Sequence, residues 1–123
     1  MTTPRLGAIA LDTDDPIRLG RFYRELLGLE TIHESEDLVA LQADGIFITI
    51  ERVLDHHPPD WPNSTIPKQL HLDLFVDDLD SSEKIALELG ARKPETQPAP
   101  HKWRVLLDPA GHPFCLTPTP PSM

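Results

Sequence analysis

At 123 residues and 39% hydrophobic content, with no apolar run near the ~18 residues of a membrane span, the sequence implies one soluble globular domain. The formal net charge of −9 argues against nucleic acid or an anionic membrane surface as partner, since both require a basic patch. A single cysteine, Cys115, excludes an internal disulfide framework, and a start without leader-like features makes the cytoplasm the expected compartment.

A strand is expected over Leu6 to Leu11. Then comes a helix: Asp15 can cap it, Pro16 suits its first position, and Leu19, Phe22, Tyr23, Leu26 and Leu27 form one apolar stripe before Gly28 ends it. Thr31 to Ser35 is a weaker strand candidate, followed by a strand over Asp37 to Ala43. After Asp44-Gly45, Ile46, Ile48 and Ile50 alternate against Phe47, Thr49 and Glu51.

The second half repeats this order. From Gln69 to Val76, Leu70, Leu72, Leu74 and Val76 share one face and His71, Asp73 and Phe75 the other. A helix with Leu79, Ile85, Ala86 and Leu89 as its apolar stripe follows, with Asp80 and Glu83 resembling a capping box and Gly90 as its stop. A short strand piece near Arg92, then Trp103 to Asp108 and Pro113 to Thr117, complete the set. The 14 prolines cluster in two connecting loops and a tail, where the lack of an N–H donor does no harm to a sheet. The tail is expected to be extended and poorly ordered.

Asp14-Asp15 answers Asp77-Asp78, Leu27-Gly28 answers Leu89-Gly90, and Asp44-Gly45 answers Ala110-Gly111, at offsets of 63, 62 and 66 residues. Each half therefore reads strand, helix, strand, strand, strand, and the period implies two similar modules. Their expected bounds are about 5–53 and 69–117, with a linker over 54–68 and a Pro-rich tail over 118–123.

Three motifs carry a family resemblance. Gln69-Leu-His-Leu-Asp-Leu-Phe-Val-Asp-Asp-Leu-Asp80 resembles the strand that opens the second module of vicinal oxygen chelate proteins. Asp108-Pro-Ala-Gly-His-Pro-Phe-Cys-Leu116 is similar to that family's closing hairpin, and Phe22-Tyr-Arg-Glu-Leu-Leu-Gly-Leu29 to its first helix and turn. The resemblance spans Leu6 to Leu116. It implies an α+β fold of two βαβββ modules forming a cupped, mixed eight-stranded sheet with the helices outside, and a homodimer. The family includes glyoxalase I, extradiol dioxygenases, epimerases, fosfomycin-modifying enzymes and metal-free antibiotic-binding proteins. Its metal-ligand positions fall, through the repeat, on Ala8, Thr49, His71 and Cys115.

Only His71 is an ordinary ligand there. Ala8 has no donor, Thr49 is a poor neutral one, and Cys115 suits a soft metal as thiolate. Glu51 shares a face with Thr49, so His71, Glu51 and Cys115 form the set that would hold a divalent zinc, nickel, manganese or iron ion. The expectation is nonetheless a cup with no cofactor. Phe47, Thr49, Glu51, His71, Asp73, Phe75 and Cys115 are the expected ligand-binding residues, with His71 and Glu51 as candidates for proton transfer. Each has a purely structural reading beside it. His71 reads equally as a pocket histidine satisfied by a neighbouring carboxylate or backbone, Glu51 as a solvated strand end, and Cys115 as a small buried hydrophobe.

Asp55-His56-His57 reads as a loop, because adjacent extended residues point apart, and His112 occupies a turn position. Trp61 suits a lid, and the sequence leaves Trp103 open between pocket and core. No Gly-rich phosphate loop, nucleophile elbow, C-x-x-C pair or H-E-x-x-H is present. The expected function is metal-independent binding of a small aromatic or amphipathic molecule. The alternatives are a glyoxalase-type metal-dependent lyase or isomerase with a rearranged site, and a metal-free enzyme in which His71 or Glu51 moves a proton.

Overall fold

In the first half the chain runs β1 (Ala8–Thr13), α1 (Pro16–Leu27), β2 (Glu30–Glu34), β3 (Leu38–Gln42) and β4 (Phe47–Arg52). The computed structural model describes residues 3–63 and 65–121, and the chain forms two compact units that divide between His56 and His57.

Asp15 caps α1, its carboxylate accepting from the Arg18 N–H at 3.2 Å, and Gly28 ends the helix in the left-handed region at φ 65°. The sheet order is β1-β4-β3-β2, with β1 parallel to β4 and the other pairs antiparallel. The alternation expected for β4 holds: Ile48 and Ile50 are buried with Val39 and Leu41, while Phe47 and Glu51 on the opposite face are exposed. Leu19, Phe22 and Tyr23 supply the helix side of this core, the last two meeting edge to face at 5.0 Å. Helix and sheet approach closely at Gly20, where a Cβ would stand 2.7 Å from Val39 Cγ1.

The second half runs β5 (Leu72–Val76), α2 (Leu79–Leu89), β6 (Arg104–Leu107) and β7 (Pro113–Pro118). Its sheet has the order β5-β7-β6, again with the first strand parallel to the last and the other pair antiparallel. The fold is thus α+β with two βαβββ-like modules, as expected, but the described residues form seven strands, in a four-stranded and a three-stranded sheet, rather than eight.

The eighth strand is reduced to one bridge, Arg92 to Leu107. The reason lies in the segment that follows it. Pro94, Pro98 and Pro100 cannot donate to a ladder, and the side chain of Gln97 takes the place of a strand. Gln97 Nε2 donates to the Val105 carbonyl at 2.8 Å and Gln97 Oε1 accepts from the Val105 N–H at 2.9 Å. The outer edge of β6 is therefore satisfied without further pairing.

Two details of α2 differ from expectation. Its cap is Asp78, whose carboxylate accepts from the Ser81 N–H at 3.0 Å, and not Asp80. The hydrogen bonds from Ser81, side chain before backbone, hold the Asp78 carboxyl below the usual carboxylate range. Asp80 and Glu83 instead accept from Arg104 of β6, at 2.9 and 3.2 Å, and Glu83 also pairs with Lys93 at 3.0 Å. Because the sheet presents a guanidinium to this face, Glu83 turns inward and Ile85 is left half-exposed, outside the stripe it was expected to join. Ala86 is the residue α2 fully buries. Pro118 ends β7, and Thr119 donates from its N–H to the Val76 carbonyl at 3.1 Å. The expected loose tail is therefore anchored at its start; Ser122 and Met123 lie outside the described residues.

Candidate functional site

Alternation along β6 and β7 divides their side chains between two faces. Leu106, Phe114 and Leu116 are buried on the face where Arg104 reaches α2. The other face carries a row across the three strands, Asp73 opposite Cys115 and Cys115 opposite Val105. Pro113 and Thr117 lie two residues to either side of Cys115, and Trp103 lies two before Val105. These residues line a cavity of about 470 Å³ together with His71, Lys68, Trp61 and Pro98.

His71 Nε2 stands 3.2 Å from Asp73 Oδ1, the partnership that their i, i+2 spacing suggested. Both side chains remain partly open to solvent. His71, Asp73 and Cys115 each offer a donor atom, and the three lie within 4.8 Å of one another. Burial pushes the Cys115 thiol up, the Asp73 charge and its hydrogen bond add to the rise, and Lys68 opposes it. Such a cysteine is a poor nucleophile at neutral pH.

The sign for stability follows from a folded value above the unfolded one. The preference is fully present below the unfolded thiol value and is lost as pH rises through the folded value. Alkylation by iodoacetamide at pH 8 should therefore be slower for Cys115 than for a free cysteine model, and Asp73→Asn should speed it severalfold by removing one cause of the rise. An unchanged rate in Asp73→Asn would show that Asp73 does not act on the thiol.

Two ordered pieces of loop present the tryptophans. Trp61 sits in the inter-module connection, closed by Asp60: its N–H donates to the Ile66 carbonyl and its carboxylate accepts from the Ile66 N–H, both at 2.9 Å. Trp103 follows a turn in which its N–H donates to the Ala99 carbonyl at 3.0 Å, and Arg104 Nε ties the same segment down through the Pro100 carbonyl at 2.6 Å.

Of the residues singled out from sequence, the second module brings His71, Asp73 and Cys115 together. Phe75 lies on their face of β5, half-exposed, but is not among the residues lining the cavity. Phe47, Thr49 and Glu51 share the open face of β4 in the first module. Within the second module the three donor groups that lie together are His71, Asp73 and Cys115, whereas Glu51 belongs to β4 of the first module. Lys68, Pro98, Val105, Pro113 and Thr117 were not anticipated. Alternation from Cys115 would have found Pro113 and Thr117, whereas Lys68 and Pro98 sit in irregular backbone that carries no periodic signal.

The composition of the donor set fits a metal. Imidazole nitrogen, carboxylate oxygen and thiolate sulfur suit zinc and softer ions. The raised Cys115 thiol makes uptake depend on proton release.

Residues 8–117 match the model of a glyoxalase-like domain family. The chain is similar in fold to a glyoxalase/bleomycin resistance protein/dioxygenase family enzyme from Burkholderia phytofirmans PsJN, with 20% identity, TM-score 0.71, and 94% of this chain and 98% of that one covered. It is also similar to a fosfomycin resistance protein from Mesorhizobium loti, with 14% identity, TM-score 0.68, and coverage of 98% and 96%. A third is the bleomycin-binding protein of Streptomyces verticillus, solved with copper(II)-bleomycin, with 16% identity, TM-score 0.61, and coverage of 98% and 100%. No curated protein matches the chain. With the repeat, the parallel first and last strands of each module and this match agreeing over nearly the whole length, the chain belongs to the glyoxalase-like family of the vicinal oxygen chelate superfamily.

Proposed function

We propose that the chain binds a flat aromatic or amphipathic small molecule in the cavity of its second module, without a catalytic metal. The observation that supports this reading is the cavity itself: about 470 Å³, bounded by Trp61 and Trp103, with the His71–Asp73 pair among its lining residues. That volume falls within the range of small-molecule sites, and rigid aromatic walls with a few convergent polar groups are their usual make-up. The bleomycin-binding protein of similar fold holds a drug in its solved complex.

Thermal denaturation against a panel of naphthalene derivatives tests the reading, since a ligand that binds only the folded chain raises its melting temperature. Trp103→Ala should weaken binding roughly tenfold, the scale of one lost aromatic contact. A melting temperature that no member of the panel moves would remove the reading.

A second reading has its own observation, the three donors of His71, Asp73 and Cys115 within 4.8 Å. Under it these residues hold zinc or a related divalent ion, as a glyoxalase-type lyase or isomerase requires. Metal analysis of protein purified without a histidine tag separates the two. Stoichiometric metal that disappears in His71→Ala establishes the second reading and overturns the metal-free one.

A further inference from the structure

The cavity of the second module carries a charge that forms no ion pair with a carboxylate among the described residues. Lys68 lines it, half-buried, and has no ion-pair partner among the described residues; its field acts on the Cys115 thiol. Asp73 is the one acidic residue in the lining. Its carboxylate is already engaged by the His71 ring at 3.2 Å and by the thiol of Cys115. No ion pair joins Asp73 to Lys68 among the described residues. What the cavity leaves unspent is therefore on the donor side, the three N–H groups of an ammonium.

A ligand that fills this space takes water away from the Lys68 ammonium. A neutral aromatic leaves that cation desolvated with no acceptor, which works against its binding. A carboxylate restores the lost hydrogen bonds with a charge-assisted one and places opposite charge beside the cation. Trp61 and Trp103, both in the lining, supply aromatic surface for a planar ring. We infer that the cavity selects aromatic carboxylates, the ring resting against the tryptophans and the carboxylate against Lys68 Nζ. The inference rests on the reading of this cavity as a small-molecule site and sharpens it to one class of ligand.

Calorimetric titration of the intact chain with 2-naphthoate, neutral 2-naphthamide and cationic 2-naphthylmethylammonium tests it. The expected result is naphthoate binding at least about tenfold more tightly than the amide, with the ammonium compound weakest and the gap narrowing in high salt. Lys68→Met should bring naphthoate to the affinity of the amide, while Lys68→Arg keeps the preference. Equal affinities for naphthoate and amide in the parent chain, or a preference that survives Lys68→Met, overturn the inference and leave the small-molecule reading standing. Failure of all three compounds to bind overturns both. Should Lys68→Met not fold, the ligand series, the salt series and Lys68→Arg still decide.

Discussion

Replacing Asp108 by alanine is expected to lower stability by about 3 kcal/mol, the scale of one buried and one part-buried N–H left without the acceptor they share. Asp108 is fully buried, and its Oδ1 accepts from the N–H groups of Ala110 at 2.9 Å and His112 at 3.0 Å. Its backbone closes the same turn, with its own N–H on the His112 carbonyl at 2.9 Å and its carbonyl accepting from Gly111 at 2.8 Å. One carboxylate thus organises the reversal between β6 and β7, the strands that carry Val105, Cys115 and Thr117. For a chain of this size the loss corresponds to a fall of roughly 10 °C in melting temperature. Asp108→Asn, which keeps an oxygen at the acceptor position, should recover part of it. Urea denaturation monitored by circular dichroism measures both; a loss under about 1 kcal/mol in Asp108→Ala would mean that the turn is held by its backbone bonds alone.

In the same turn, Gly111→Ala should cost a similar amount for a different reason. Gly111 has φ 90°, where a side chain is strained, and a Cβ built there would stand 2.5 Å from Pro58 Cβ. The backbone term is roughly 1–2 kcal/mol and the overlap roughly 1–3 kcal/mol, because a pyrrolidine ring fixed in the chain has little room to give. The double variant Pro58→Gly/Gly111→Ala separates the two. If overlap contributes, the pair falls short of additivity by about 1 kcal/mol or more. Strict additivity would place the whole cost in the backbone conformation.

Much of this fold is local chemistry repeated. Asp15 and Pro16 start one helix, Gly28 and Gly90 stop two, and the alternation of Ile48 and Ile50 against Phe47 and Glu51 states which side of β4 is buried. These signals act within a turn of helix or along one strand, so they can be read without knowing what packs against them. The repeat then supplies the topology. Where the expectation fell short, a distant partner decided. Glu83 looked like half of a capping box, but Arg104, 21 residues away, turns it toward the sheet, and Ile85 is displaced from the stripe as a result. The missing strand near Arg92 has the same origin, since a Gln97 amide satisfies Val105 in its place.

The candidate site divides in the same way. The sequence by itself determined the two-module α+β fold, the face that His71 shares with Asp73, and the scarcity of the family's usual metal donors, because period-2 alternation and residue chemistry are properties of the chain. Only the tertiary structure decided that Cys115 stands opposite Asp73, that Val105 continues the row, and that Trp61, Lys68 and Trp103 meet at one cavity. Those are matters of strand register and loop path, set by parallel pairing across some 40 residues and by single hydrogen bonds such as that of Asp60 to Ile66. The tertiary structure places the donor atoms of His71, Asp73 and Cys115 within 4.8 Å of one another, in the lining of the cavity that Lys68 also reaches.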